Sequence, residues 1–328
     1  MTTKFLNKTL LTMLATGTLL SACGNIKPEE ESKLFEDASS HFKAIPTTLI
    51  DKDKNKELIA LGKELYLEKA LSANGTISCN SCHGLDKFGV DNEATSPGHD
   101  GRRGDRNAPT SFNAALHLAQ FWDGRAPDVE AQALGPLLNP IEHGLANEKA
   151  AMKKLKEVGY EAKFKTVFKG KKNAFTFKNI GVAIGAFERT LLTPSRFDDY
   201  LNGDKGALNN QEKRGLKKFM EVGCTTCHNG PALGGELYQK LGLEVPYPTK
   251  DKGRFNVTKD PEDIGVFKVP SLRNIEKTFP YFHDGSLKTL DEVIPIMAKH
   301  QLGVALTGNE VQDVKAFLGS LTAYRLPQ

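Results

Sequence analysis

"TISCNSCHGLDKFG", residues 76–89, places two cysteines two residues apart, with a histidine directly after the second. The pattern returns once, in "EVGCTTCHNG", residues 221–230. Four of the five cysteines lie in these two copies, and only Cys23 stands outside them. C-x-x-C-H is the attachment signal for c-type haem, in which two thiols bond to the porphyrin vinyl groups and the neighbouring histidine ligates iron from one side. A zinc site, a thioredoxin-like dithiol or a disulfide hairpin would not need that histidine in both copies. Cys79, Cys82 and His83 are thus expected to hold one haem, and Cys224, Cys227 and His228 a second.

Working outward, the N-terminal residues "MTTKFLNKTLLTMLATGTLLSACGN" read as an export signal, with a basic start, an apolar run and small residues at the end. Leu20-Ser21-Ala22-Cys23 resembles a bacterial lipobox, so residues 1–22 are expected to be removed and Cys23 lipidated, which accounts for the odd cysteine. Gly24 after it points to the outer membrane of a periplasmic, lipid-anchored protein. Without Lys4 and Lys8 of the leader, the 44 basic residues come close to balance with the 40 acidic ones, which speaks against nucleic-acid binding. At 39% hydrophobic and 26% charged, the 328 residues suit a soluble body with room for two domains.

The polar, acid-rich residues 23–54 are expected to be a tether, with folding beginning near Asn55. In "KELIALGKELYLEKALS", residues 56–72, Leu58, Leu61 or Gly62, and Leu65 share a helical face ahead of the first motif. "NNQEKRGLKKFMEVG", residues 209–223, does the same ahead of the second, with Asn209 and Glu212 as a capping box. Aligning Gly62 with Gly215 also aligns Tyr66 with Phe219, as a diverged internal repeat would. Further helices are predicted within residues 179–192 and 307–324, the latter capped by Thr307 with Glu310. "TPSRFDDYLNGD", residues 193–204, reads as an inter-domain passage. Glycine- and proline-rich stretches at 86–113 and 230–280 read as loops. The expected fold is mainly α: two cytochrome c-like helical domains with long loops, spanning 55–200 and 201–328, each carrying one covalently attached c-type haem.

What faces each iron on its second side decides its role. A thioether raises the potential, an imidazole gives a lower one, and an open site admits a small ligand. Six further histidines and five methionines leave the choice open by composition. Met297, in "IPIMAKHQLG", lies just before the last helix, where a single-domain cytochrome c returns its methionine over the haem. His99, in "SPGHDGRRGD", sits among residues that forbid a rigid helix, so a loop could bring it to iron and withdraw it.

From about Glu57 to Leu321 the chain resembles the bacterial dihaem cytochrome c peroxidases. "LGKELY", "GRRGDRNAPTSFNAA", "QFWDGRAPDVEAQALGPLLNP", "GAFERTLLTPSRFD", "FKVPSLRNI", "FPYFHDGSL" and "IMAKHQLG" occur in the family's order around the two motifs. The resemblance implies a low-potential, peroxidatic N-terminal haem with His99 as sixth ligand in the oxidised enzyme. It implies a high-potential C-terminal haem with Met297, which takes up electrons. Trp122 would lie between the haems, Glu142 would be the distal acid and Gln132 its neighbouring amide. His143 follows Glu142, where the family commonly has methionine. An inter-domain calcium is also implied, on the Asn107 side chain and the Thr278 and Pro280 carbonyls, with His283 nearby as a structural bridge.

The implied activity is reduction of hydrogen peroxide with electrons from a small periplasmic cytochrome c or cupredoxin, by a homodimer. Two irons suit it, because peroxide takes two electrons and such a donor gives one. The alternatives are a protein-modifying dihaem relative, which would carry tyrosine in place of Met297, and a plain dihaem electron carrier, which would need neither an open iron nor Glu142.

Overall fold

The computed structural model describes residues 27–327; the export signal and the proposed lipidation at Cys23 lie outside the described residues. The chain is predominantly helical, as the sequence predicts, and is organised around two hydrophobic cores. Among the described residues no helix is long and apolar enough to cross a membrane.

Each core is organised by one close crossing of two helices. In the first, Lys56–Leu67 buries Leu61, Gly62, Leu65 and Tyr66 against Phe177–Glu188, which is buried almost all round. In the second, Asn210–Glu221 lies against Gly308–Gly319. The predicted repeat is visible here in atomic detail. A β-carbon on Gly62 would collide with the Ala183 carbonyl and stand 2.9 Å from Cβ of Phe187. One on Gly215 would collide with the Asp313 carbonyl and stand 2.9 Å from Cβ of Phe317. Only glycine lets the backbones approach this far, so the crossing is written into one residue per copy. One helical turn on, Tyr66 meets Phe187 and Phe219 meets Phe317, each pair with ring centroids 5.4 Å apart. The capping boxes at Asn209/Glu212 and Thr307/Glu310 form as expected.

The expected tether spans residues 23–54, and its described part, from Lys27 on, departs from that reading. Pro28–His41 is a helix, with proline in its first turn beside Glu29, Glu30 and Glu31, all placements that favour a helix start. Its Leu34, Ala38 and the following Phe42 are buried in the second core. An ion pair from Lys213 to Glu31 and a hydrogen bond from Lys205 Nζ to Ser32 Oγ (3.1 Å) hold its start. Leu34, Ala38 and Phe42, flanked only by Phe35, make a narrow stripe that does not outweigh the acidic composition in a sequence reading.

The passage at residues 193–204 is also more than a link. Arg196–Leu201 is a helix capped by Ser195 and Asp198, and it inserts Phe197 and Tyr200 into the second core. Asp198 is paired with the fully buried Arg273 at 2.6 and 2.9 Å and also accepts from the Ile45 N–H at 2.7 Å. The guanidinium further donates to the Pro231 carbonyl, so this one pair joins four distant segments. Three further helices, Glu148–Glu157, Tyr160–Val167 and Leu290–Leu302, and a two-stranded antiparallel sheet of Tyr238–Lys240 and Val266–Lys268 were not anticipated.

Candidate haem centres

Cys79–Cys82 is a single helical turn capped by Ser78 and Ser81, and the His83 N–H closes onto the Cys79 carbonyl at 2.9 Å. The turn puts both thiols on one side and leaves the imidazole beside them. His83 Nδ1 lies 3.3 Å from the Gly89 carbonyl. A carbonyl only accepts, so Nδ1 carries the hydrogen and Nε2 keeps its lone pair for a metal. Burial holds His83 below the ordinary histidine range, in the neutral form a ligand requires.

The second copy repeats this logic in a tighter turn, Cys224–Thr226, with the His228 N–H on the Cys224 carbonyl at 2.9 Å. His228 Nδ1 faces the Leu233 carbonyl at 3.1 Å, and burial lowers its pKa to about 4. All four thiols are free. Burial pushes Cys82 up to about 11 and Cys224 up to about 12, which keeps both protonated.

A cavity of about 230 Å³ opens beside the second motif. Cys224, Cys227, His228 and Met297 line it, with apolar walls that include Leu241 and Ile294. Thiols, a pre-set imidazole lone pair, a thioether and apolar walls fit a covalently attached haem. Met297 reaches the cavity from Leu290–Leu302, a helix capped by Thr289 and Glu292 and stopped by Gly303 in the left-handed region (φ +67°).

At the first motif Cys79 packs against the first core, whereas Ser96, Asp91 and Glu142 stand near the Cys82 thiol. His99 stands on residues 141–144: its N–H donates to the Glu142 carbonyl at 2.9 Å, and its ring lies on Gly144. The ring is mostly buried, with Nδ1 lacking a hydrogen-bond partner. The loop is pinned by the Gly98 N–H on the Arg102 carbonyl (2.8 Å) and by Arg102 Nη2 on the Pro140 carbonyl (2.9 Å). Glu142 is half-buried, and burial raises its pKa against the opposing pull of Arg125 and of an Asn139 amide 2.7 Å from Oε1. Gln132 is half-buried at the end of Val129–Gln132. His143 turns inward, buried, with Nδ1 on the Leu71 carbonyl at 2.8 Å.

Trp122 lines the second motif's cavity although its chain segment follows the first. Its indole N–H donates to the Asn107 carbonyl at 2.9 Å, and its ring meets His283 edge-on at 6.4 Å. The Asn107 N–H in turn donates to the His283 carbonyl at 2.8 Å, and its amide nitrogen to the Glu93 and Ala94 carbonyls at 3.0 and 3.3 Å. That leaves the Asn107 side-chain oxygen uncommitted, on the same cavity wall as Thr278 and Pro280. His283 is fixed by its stack on Phe267 at 4.5 Å and by Thr249 Oγ1 at 2.9 Å, while its contacts with Asn107 and Trp122 tie the two parts of the chain together. Two features escaped the sequence reading: the Asp198–Arg273 pair, and a buried contact between Lys268 and His117. Neither type of residue at neither position carries a spacing signal; only folding brings them together.

Residues 56–206 match the family described as di-haem cytochrome c peroxidase. Cytochrome c551 peroxidase of Nitrosomonas europaea is 46% identical over 281 residues, covering 84% of each chain. Cytochrome c551 peroxidase of Pseudomonas aeruginosa is 42% identical over 88% of this chain and 86% of its own. A solved MauG-like protein associated with microbial copper homeostasis superimposes with a TM-score of 0.77 at 32% identity, over 87% of this chain and 95% of that one. With relatives above 40% identity over more than four-fifths of its length, the chain belongs to the di-haem cytochrome c peroxidase family.

Proposed function

We propose that the protein reduces hydrogen peroxide to water in the periplasm, using two c-type haems with unlike duties and a small cytochrome c or cupredoxin as donor. The observation that carries the division of labour is the contrast between the two motifs: Met297 lines the cavity of one, while His99 and Glu142 stand beside the other. When bound, the haems supply the redox chemistry, one holding an electron in reserve and the other meeting peroxide.

The chain's residues do the rest. Met297 offers a thioether, which favours reduced iron and raises the potential of the C-terminal centre. His99 guards the N-terminal centre, and release of its loop opens the way to peroxide. Glu142 moves a proton between the peroxide oxygens; Asn139 holds Oε1 and leaves Oε2 for the ligand. Gln132 orients that ligand. Peroxide, two electrons and two protons give two waters. Trp122 lies on the route between the centres, its indole N–H held by the Asn107 carbonyl, while the Asn107 N–H bonds the His283 carbonyl. Asn107, Thr278 and Pro280 would hold a calcium ion through neutral oxygens and waters, with the modest affinity such ligands give. Cys23 would carry the lipid anchor to the outer membrane, and the working form would be a homodimer.

The deciding experiment is steady-state peroxide reduction with a reduced small cytochrome, alongside electron paramagnetic resonance of the oxidised and half-reduced protein. Turnover with a change to high spin at one haem on half-reduction supports the reading. Two irons that stay six-coordinate throughout, without turnover, would leave an electron carrier.

A further inference from the structure

Lys268 and His117 form a pair that the peroxidase reading leaves unused. Lys268 ends the strand Val266–Lys268 and its backbone N–H donates to the Trp122 carbonyl at 2.8 Å. Its side chain is buried and lines the cavity that holds Cys224, Cys227 and Met297, as does His117. Nζ lies 3.1 Å from His117 Nδ1, and among the described residues no carboxylate pairs with it. A buried ammonium with only a neutral ring for company lacks its counter-charge, a costly arrangement.

The ring tautomer sharpens this. An ammonium only donates, so His117 Nδ1 must accept and the ring hydrogen sits on Nε2. Burial and the neighbouring ammonium keep the ring neutral. Nε2 is buried beside Gly235 and among the described residues has no hydrogen-bond partner. Lys268 therefore brings an uncompensated charge to the cavity wall, steadied by His117, and a carboxylate is its complement. The cofactor assigned to this cavity carries two carboxylates, its propionates.

The geometry points to Lys268, held in place by His117, as the counter-ion for a propionate of the C-terminal haem, an inference that rests on the haem assignment above. A fixed positive charge in a poorly screened cavity favours the reduced, less positive iron. Lys268 is thus a positioning residue that holds up the potential of the electron-accepting haem, together with Met297.

The test is a spectroelectrochemical titration of the holoprotein with Lys268→Met and Lys268→Arg. Haem content by pyridine haemochrome comes first: two haems per chain confirm the assignment on which the inference rests, and one haem would break that assignment instead. With two present, Lys268→Met should weaken electron binding at the C-terminal haem at least tenfold, about 59 mV for one electron. Lys268→Arg should retain the wild-type midpoint, and the propionate bending band in resonance Raman spectra should shift in Lys268→Met alone. If Lys268→Met fails to load haem, His117→Phe takes its place, with a lowered midpoint and a shifted band expected. An unchanged midpoint in the haem-loaded variant overturns the inference. So does a wild-type midpoint that follows chloride concentration, which would make the partner a small anion.

Discussion

The ring of His99 lies directly on Gly144: a β-carbon added there would overlap Nε2 and stand 3.0 Å from Cε1. No side chain fits under this histidine, so the seat is available only because residue 144 is glycine, which also adopts φ +71°. Gly144→Ala should therefore unseat the ring and reproduce His99→Gly. Both variants are expected to give a high-spin, peroxide-reactive N-terminal haem in the fully oxidised protein, read by electron paramagnetic resonance. If oxidised wild type already shows that signal and reacts at full rate, His99 is no gate.

Glu142→Gln keeps the shape of the side chain but removes the proton it would relay. A loss of roughly two to four powers of ten in turnover is expected, with both haems retained. Burial raises the carboxyl's pKa, so the carboxylate is lost as pH falls through a value above the usual glutamate range. Wild-type initial rates should fall on that acid limb, and the limb should vanish in Glu142→Gln. Full turnover in the variant would move the relay to His143 or water.

Met297→His replaces a thioether with an imidazole that stabilises ferric iron. The C-terminal midpoint should drop and mild donors should no longer produce the half-reduced state. A potentiometric titration with an unchanged midpoint would send the search to another side chain of the same cavity.

Glycine to alanine inside a helix ordinarily gains about 0.5–1 kcal/mol. Gly62→Ala and Gly215→Ala should reverse that sign, because each new methyl meets backbone carbonyl atoms that cannot swing aside. A cost on the order of 1–3 kcal/mol is expected for each, measured by denaturant unfolding of the haem-loaded protein. Neutral or stabilised variants would show that the helices part easily.

Breaking the fully buried Arg273–Asp198 pair leaves an uncompensated charge among four chain segments. Arg273→Met should cost about 3–5 kcal/mol. Arg273→Met with Asp198→Leu should recover much of it, since the pair's worth lies in not being halved. Equal unfolding midpoints for the single and double variants would contradict this.

The parts of the molecule fixed by local chemistry were readable in advance. Capping at Asn209 and Thr307, the two attachment turns, and the equivalence of Gly62 with Gly215 depend on residues a few positions apart or on an internal copy. The helices at Pro28–His41 and Leu290–Leu302 were missed for different reasons. The first has a narrow apolar stripe in an acidic segment, and the second carries Pro295 in its interior. Around the haem centres, the neutral imidazoles follow from burial and from carbonyls five or six residues on, which spacing alone does not disclose. Asp198 with Arg273 and Lys268 with His117 are separated by 75 and 151 residues, and no periodicity connects them.

The acidic helix Pro28–His41 is synthesised before almost everything it packs on, since its partners in the second core run from Phe197 to Leu321. As the chain emerges N-terminus first, from the ribosome and then into the periplasm, those partners arrive last. In that interval Leu34, Ala38 and Phe42 have no partner, while the first core can close on its own continuous stretch of chain. Glu29, Glu30, Glu31, Glu36 and Asp37 cover the other faces of the helix, a surface suited to a segment that must stay dissolved while it waits.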